Sequence, residues 1–393
     1  MTPFKKGVPV PINFKKHILP AFIIAAALLA LAHERFPAPS FLVSAPSMVN
    51  NDVVMYNEKD VTHGQSKTVH SATAVTLKNG DLLAMWYGGT REGHTDVKIY
   101  SARFNQVTQE WQEPTSVLDR YQVADDLDRY IKKIGNPTLL RHSNGALVLI
   151  YVSVSMAGWA TSQINMTVSY DEGQTWYASK RLVTSAFFNI STLVKNNAVI
   201  YDDGTIGITA YHELIGEFSE IVRVTLDGKV VDKYRISSGE QTIQPTLVTL
   251  GQKQAVAYMR DSTKFEQKIM RAVSVDSGQT WSKYEATELN NPNSAVYAFN
   301  DPEGRHWMVF NDSTRDQVYS RDNLALAVSL DSGLTWSTVH YFVKAPTDAK
   351  VENKYSYPWV SISGDGLYDL FYTFNRKTIK HIGFNQAWLE QLL

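Results

Sequence analysis

The sequence predicts an all-β protein, a six-bladed β-propeller behind an N-terminal hydrophobic segment. Three observations predict it. Short apolar runs alternate with turn signals after residue 45, as in ATAVTLKNGDLLAMWY (72–87), VIYDDGTIGITAYH (199–212) and GLYDLFYTF (366–374). Asn-Gly at 79–80 and Asp-Gly at 203–204, 227–228 and 365–366 mark hairpins, and no long stretch of helical period competes with them. One octet is written three times: SYDEGQTW at 169–176, SVDSGQTW at 274–281 and SLDSGLTW at 329–336.

At the N-terminus, Lys5, Lys6, Lys15 and Lys16 precede the apolar run ILPAFIIAAALLALA (18–32), which closes on Ala30-Leu31-Ala32. Basic residues, an apolar stretch and a small-x-small end describe a secretory signal, or an uncleaved anchor in the inner membrane, over residues 1–33. Residues 34–45, with Pro37 and Pro39, read as a linker, and 46–393 as the propeller. The expected location is therefore exported: periplasmic or secreted, or held to the membrane through 18–32.

The octets set the blade count. From Ser274 to Ser329 is 55 residues, and from Ser169 to Ser274 is 105, close to twice that. A four-stranded blade takes about 40–50 residues. Worn copies stand at Ser101–Trp111 and in VTLDGK (224–229), and 355–388 supplies the last blade with help from an N-terminal strand. Within the octet, Asp and Ser side chains bond nearby backbone N–H groups, Gly supplies positive φ, and Thr-Trp re-enters a strand. The octet reads as a folding device at a hairpin tip. It lacks the acidic ligands that a calcium loop uses.

Composition narrows the function. Lys and Arg number 38 against 39 Asp and Glu, with no long basic block, which argues against a nucleic-acid partner. There are no cysteines, so thiol catalysis, disulfides and thiolate metal sites are excluded. No H-x-x-x-H or H-E-x-x-H spacing occurs; neither a metal nor another cofactor is expected, and the chain is expected to be a monomer.

Three S-x-D-x-G-x-T-W turns at blade spacing resemble the Asp-boxes, or BNR repeats, of the sialidase (neuraminidase) superfamily, and the chain is similar to bacterial predicted neuraminidases over roughly 65–385. Through this resemblance GGTREGHTD implies Asp96 as acid/base, beside Arg91 as a substrate contact. AYMRD implies Arg260, and SRDNLALAVSLDSG implies Arg321, as two arginines of a carboxylate-binding cluster. KYSYPWV implies Tyr357 as nucleophile, with Tyr355 as its competitor. Two positions depart from the pattern. His70 stands where the family has an arginine, and Gln244 where it has the glutamate that activates the tyrosine. Both are kept as substrate-binding residues, and Glu213 in AYHELIG is a carboxylate available for the missing base role.

The chemistry explains the residue types. An arginine cluster holds a sugar carboxylate by paired, charge-assisted bonds. A carboxylate nucleophile would be repelled there, whereas a tyrosine is not, although it needs a base or a positive field to attack. The reading is an exo-glycosidase for an acidic sugar at glycan ends: sialic acid or another ulosonic or uronic acid. A propeller that binds carbohydrate or protein without turnover is the first alternative, and a lyase or transferase on the same fold the second. Ordinary structural roles stay open for each residue: ion pairs for Arg260 and Arg321, a turn cap for Asp96, core packing for Tyr357 and His70. Trp159 and Trp359 fit either a sugar subsite or the core.

Overall fold

Six antiparallel sheets follow one another around an axis. The computed structural model describes residues 20, 22–24, 39–43, 53–62, 64–185, 189–239, 241–317, 319–344 and 353–393. Blade 1 comprises Thr68–Thr76, Leu82–Gly89, Lys98–Asn105 and Glu110–Trp111, with Thr115–Leu118 also on its third strand. Blade 2 comprises Lys133–Arg141, Leu147–Val154, Gln163–Ser169 and Lys180–Arg181. In blade 3, Leu193–Val194 and Val199–Ile200 both pair with Ile206–His212, followed by Phe218–Val224 and Val230–Arg235. Blade 4 runs Thr242–Thr249, Ala255–Asp261, Lys268–Ser274 and Glu285–Asn290; blade 5 runs Tyr297–Asn300, His306–Phe310, Asn323–Ser329 and Ser337–Lys344. Blade 6 takes Tyr355–Ile362, Leu367–Phe374 and Thr378–Asn385 from the C-terminus and its outer strand, Tyr56–Asp60, from the N-terminus. The expected six-bladed propeller is the observed one, including the closure by an N-terminal strand.

Second strands are the most apolar. All eight residues of Leu147–Val154 are buried, as befits a strand covered on both faces by neighbouring blades. The core is accordingly a ring of inter-blade clusters. One packs blade 1 on blade 2 through Leu83, Met85, Leu147 and Leu149, and another packs blade 4 on blade 5 through Val256, Tyr258, Met308 and Phe310.

The octets sit at the far end of the third strands. In SYDEGQTW, Asp171 Oδ1 accepts from Ser169 Oγ (2.8 Å) and Thr175 N (2.9 Å), and Gly173 N donates to Ser169 Oγ (2.8 Å). The same bonds recur at Ser274 and Ser329. Each box glycine has positive φ and lies against the preceding blade: a Cβ on Gly333 would fall 1.8 Å from Tyr258 Oη, and one on Gly173 2.6 Å from Leu83 Cδ2. The worn copies occupy the matching hairpins of blades 1 and 3, where Asn105 caps Val107 N and Thr108 N, and Thr225 N bonds Lys229 O. Because strands alternate in direction, all these turns lie opposite the end at which the inner strands begin.

The chain divides into Met1–Ala38 and Pro39–Leu393. In the first unit Pro20 and Phe22–Ile24 have helical backbone and are exposed; the rest of the expected signal or anchor, 1–33, lies outside the described residues. No helix among the described residues is long and apolar enough to cross a membrane. Of the expected linker, 34–45, residues 39–43 are described, and they depart from a linker. Phe41 is 1% exposed, bridges to Tyr201 and packs with Ile221 and Leu247 between blades 3 and 4, because an aromatic side chain with a place in the core does not stay in water.

Candidate active site

Four inner strands begin with the same irregularity. Pairing with the second strand slips between His70 and Thr73, Gly135 and Thr138, Ile243 and Thr246, and Ser356 and Trp359. At each slip one residue takes left-handed backbone: Ser71 (φ 55°), Asn136 (47°), Gln244 (54°) and Tyr357 (59°). The local sequences are HSAT, GNPT, IQPT and SYPW. Such a bulge takes one residue out of the ladder and re-aims its side chain, and a following proline has no N–H to leave unpaired. Asn293, entering blade 5, is left-handed too (58°).

The bulges bring Gln244 and Tyr357 together. Gln244 Nε2 donates to Tyr357 Oη (3.2 Å) and to Tyr211 Oη (3.2 Å), while its Oε1 accepts from Arg260 Nη1 (2.9 Å). The arginine therefore fixes which end of the amide faces the phenol. Arg260 Nε also donates to Asn293 Oδ1 (2.6 Å), and Arg321 Nη2 donates to Asn293 O (2.5 Å). Blades 3, 4, 5 and 6 are joined at this point. Tyr355, the competitor, is 7% exposed and stacks on Phe374 within the core.

Beneath this layer lies a residue that sequence reasoning missed. Lys195 is 1% exposed; its Nζ donates to Pro358 O (2.8 Å) and Asn196 Oδ1 (3.1 Å) and stands 5.4 Å from the Tyr357 ring centroid. Asn196 Nδ2 in turn donates to Gln244 O (2.9 Å). This pair holds the two bulges that present Tyr357 and Gln244. Burial pulls the Lys195 ammonium down to about 7.

His70 is 2% exposed, bonds Thr373 Oγ1 (3.1 Å) and lies with its ring centroid 4.1 Å from that of Tyr357. Burial, and then Arg376, Arg321, Lys195 and Arg260, hold its pKa well below the ordinary value. His70 is thus a neutral packing partner at neutral pH and does not replace the missing cation. Arg376 stands beside it: Val69 N donates to Arg376 O (2.8 Å), and the Arg376 guanidinium pairs with Glu92 (2.7 Å).

The carboxylates sort differently from the expectation. Asp96 is exposed, and its oxygens accept from Thr90 N (3.1 Å), Thr90 Oγ1 (2.5 Å) and His94 Nδ1 (2.7 Å). Those bonds, Thr90's hydroxyl foremost, hold its carboxyl at about 2 and cap its own loop. Arg91 is exposed on the same loop. Glu213 is half-buried, with its backbone N bonded to Ser191 Oγ (3.0 Å). Burial raises its carboxyl pKa, Arg260 opposes the rise, and Glu217 and Glu92 add to it. Trp159 covers Gly135 at the rim and lies 4.0 Å under Lys133 Nζ, whereas Trp359 is buried and donates to Ala74 O (3.0 Å). Among the described residues no His/Asp/Glu group gathers as a metal site would.

The structure therefore brings together His70, Gln244, Arg260, Arg321, Glu213 and Tyr357, and sets Asp96 and Arg91 on the outer loop. Lys195, Asn293, Tyr211 and Arg376 were not foreseen, and Glu92, expected to pair with Arg91, pairs with Arg376. A family model described as "BNR repeat-like domain" matches residues 80–370. The chain belongs to that family. Among solved structures, this BNR-repeat chain is similar to "Hadza microbial sialidase Hz136", at 17% identity and a TM-score of 0.66, over 84% of this chain and 68% of that one. It is similar to the NanB sialidase from Streptococcus pneumoniae, at 12% identity and 0.65, over 83% and 69%. A protein of unknown function from Dyadobacter fermentans matches at 13% and 0.65, over 84% and 99%. No curated protein matches at the level of sequence. These likenesses establish a sialidase-like, glycosidase-type propeller fold.

Proposed function

We propose that this chain is an exported exo-glycoside hydrolase that removes an acidic sugar, a sialic acid or a related ulosonic or uronic acid, from glycan ends. The observation that carries the reading is the Tyr357–Gln244–Arg260–Asn293–Arg321 network at the head of the axis. Arg260 and Arg321, reinforced by Arg376, take the sugar's carboxylate. Tyr357 presents its oxygen to the anomeric carbon and stabilises the oxocarbenium-like transition state by the lone-pair density of that oxygen, keeping its own proton.

Gln244 cannot act as a base. It donates N–H to the phenolic oxygen instead, which fixes where that oxygen points. Glu213, whose raised pKa keeps it protonated further up the pH scale, delivers the proton to the departing oxygen and recovers one from the water that completes hydrolysis. Here the acid role passes from Asp96 to Glu213.

The test is hydrolysis of fluorogenic sialosides, other ulosonides and uronides by the full-length chain beside Tyr357→Phe. Turnover of one acidic sugar that the substitution abolishes supports the reading. Glycan binding without product from any sugar, in both proteins, overturns it in favour of a binding propeller.

A further inference from the structure

The inner strand of blade 3 is split. Leu193–Val194 and Val199–Ile200 each pair with Ile206–His212, and Lys195, Asn196, Asn197 and Ala198 stand between the two paired stretches. Three of these side chains turn to other blades. Lys195 reaches the bulge of blade 6 at Pro358 O (2.8 Å), and Asn196 reaches the bulge of blade 4 at Gln244 O (2.9 Å). Asn197 ties the same blade 4 strand further along, with Nδ2 on Leu247 O (2.9 Å) and Oδ1 accepting from Thr246 Oγ1 (3.1 Å). Lys195 Nζ also lies 5.4 Å and 5.9 Å from the ring centroids of Tyr357 and Trp359, the two residues that flank Pro358.

Each bulge creates the need that this segment meets. Pairing in blade 6 passes from Ser356 to Trp359, and in blade 4 from Ile243 to Thr246, so Tyr357, Pro358, Gln244 and Pro245 stand outside the ladder. The carbonyls of Pro358 and Gln244 therefore lack a strand partner, and a buried carbonyl needs a donor. Blade 3 faces blade 6 across the six-bladed ring, and a lysine has both the length and the N–H to answer from there. Left-handed backbone at Tyr357 (φ 59°) and Gln244 (54°) persists only where the surroundings hold it. Lys195 is 1% exposed, and no carboxylate among the described residues pairs with it. Stability alone disfavours a buried ammonium of that kind, so its place at the two bulges points to what it does there.

We propose that Lys195 and Asn196 are positioning residues for the reaction: from blade 3 they fix the backbone turns that carry Tyr357 and Gln244, and so place the phenol oxygen where the anomeric carbon becomes cationic. Both are 1% exposed, so neither touches the sugar. The inference rests on the hydrolase reading above and deepens it. Their effect belongs to the transition state, because Tyr357 acts there. The sugar's carboxylate is held in the ground state by Arg260 and Arg321, which have their own anchor on Asn293. Misplacing a reacting group by about 1 Å costs about 10²-fold in rate.

The test is steady-state hydrolysis by the full-length protein in mild detergent, on the acidic sugar that wild type turns over, joined to crystal structures of the same proteins. Lys195→Met nearly keeps the side chain's length and removes its donor. It should lower kcat about 10–100-fold per folded molecule, leave KM within about twofold, and displace Tyr357 Oη from Gln244 Nε2. Asn196→Asp keeps an acceptor for Lys195 and removes the N–H to Gln244 O. It should lower kcat with KM again unchanged, and it carries the test where Lys195→Met does not fold. An unchanged kcat per folded molecule in the variants overturns the proposal. So does a rise in KM alone, which would make these residues part of sugar binding. The crystal structures separate this inference from the hydrolase reading. If wild type turns over no sugar, a phenol displaced in the variants upholds the positioning and removes the hydrolase. Turnover by wild type with the phenol in place in the variants does the reverse.

Discussion

A buried ammonium persists only where acceptors surround it, and Lys195 finds two, at Pro358 and Asn196. It ionises at about 7 in the fold, against about 10.4 for lysine in an unfolded chain. Between those values the unfolded chain binds the additional proton. The penalty from this group is therefore complete below pH 7 and shrinks as pH rises toward 10. Urea unfolding at pH 7 and pH 9 should show wild type gaining on Lys195→Met at the higher pH, and parallel behaviour of the two proteins would refute the assignment. Glu213→Gln bears on the chemistry instead. Loss of a positioned acid should cost roughly 10²–10⁴-fold in turnover. The fall in rate as pH rises through Glu213's raised pKa should vanish with it, whereas an unchanged rate removes Glu213 from the mechanism. Arg260, Arg321, Gln244 and Tyr357 were legible in the sequence because each lies in a short string beside a box or a Pro-containing strand. Lys195, Asn293 and Arg376 were not, because each acts across a blade boundary on a residue remote in sequence. Asp96 was legible in its string too, whereas the bonds that Thr90 and His94, both within its own loop, make to its oxygens were not.

At the scale of elements, two devices recur at opposite ends of the strands. The box hairpins fasten each blade to the one before it, and the bulges aim side chains at the axis. Gly333→Ala would drive a methyl group onto the Tyr258 hydroxyl, which bonds His306 Nδ1 (2.7 Å), at a backbone φ of 84° that disfavours any side chain. Overpacking of this kind costs about 1–3 kcal/mol. The substitution should lower the unfolding midpoint yet leave turnover per folded molecule unchanged, and a matching loss of activity would show that the boxes reach the site. The boxes also set acid sensitivity. Hydrogen bonds from Thr175 hold Asp171 at about 2, and those from Thr335 hold Asp331 lower still. A carboxyl depressed in the fold contributes stability above its unfolded pKa, near 4, and loses it as pH falls through the folded value. Asp331→Asn should therefore lose less stability than wild type between pH 4 and 2 in a thermal melt. The boxes were legible because the device is written locally, in eight residues. The bulges were not, since HSAT, GNPT, IQPT and SYPW share too little to align until their pairing registers are known.

Across the whole molecule, ring closure depends on a strand with little apolar content. Tyr56–Asp60 alternates exposed and half-buried residues, so its contribution is backbone pairing along Thr378–Asn385 rather than core. The blade count was legible because 105 residues between boxes is nearly twice 55. The anchoring of Phe41 was not, because a lone aromatic after two prolines carries no pattern. Deleting residues 1–62 would strip the outer strand from blade 6 and bare five residues of unpaired edge, a template for pairing with another chain. Deletion of 1–38 spares Phe41 and this strand together, and should leave the melting midpoint of the Pro39–Leu393 unit where it is in the full-length protein. Sedimentation velocity should find the 1–62 deletion self-associating as its concentration rises, with a lower melting midpoint, and the 1–38 deletion unchanged on both counts. If the longer deletion stays monomeric and melts with the shorter one, the ring is held by its inter-blade clusters alone, and the N-terminal strand is dispensable to closure.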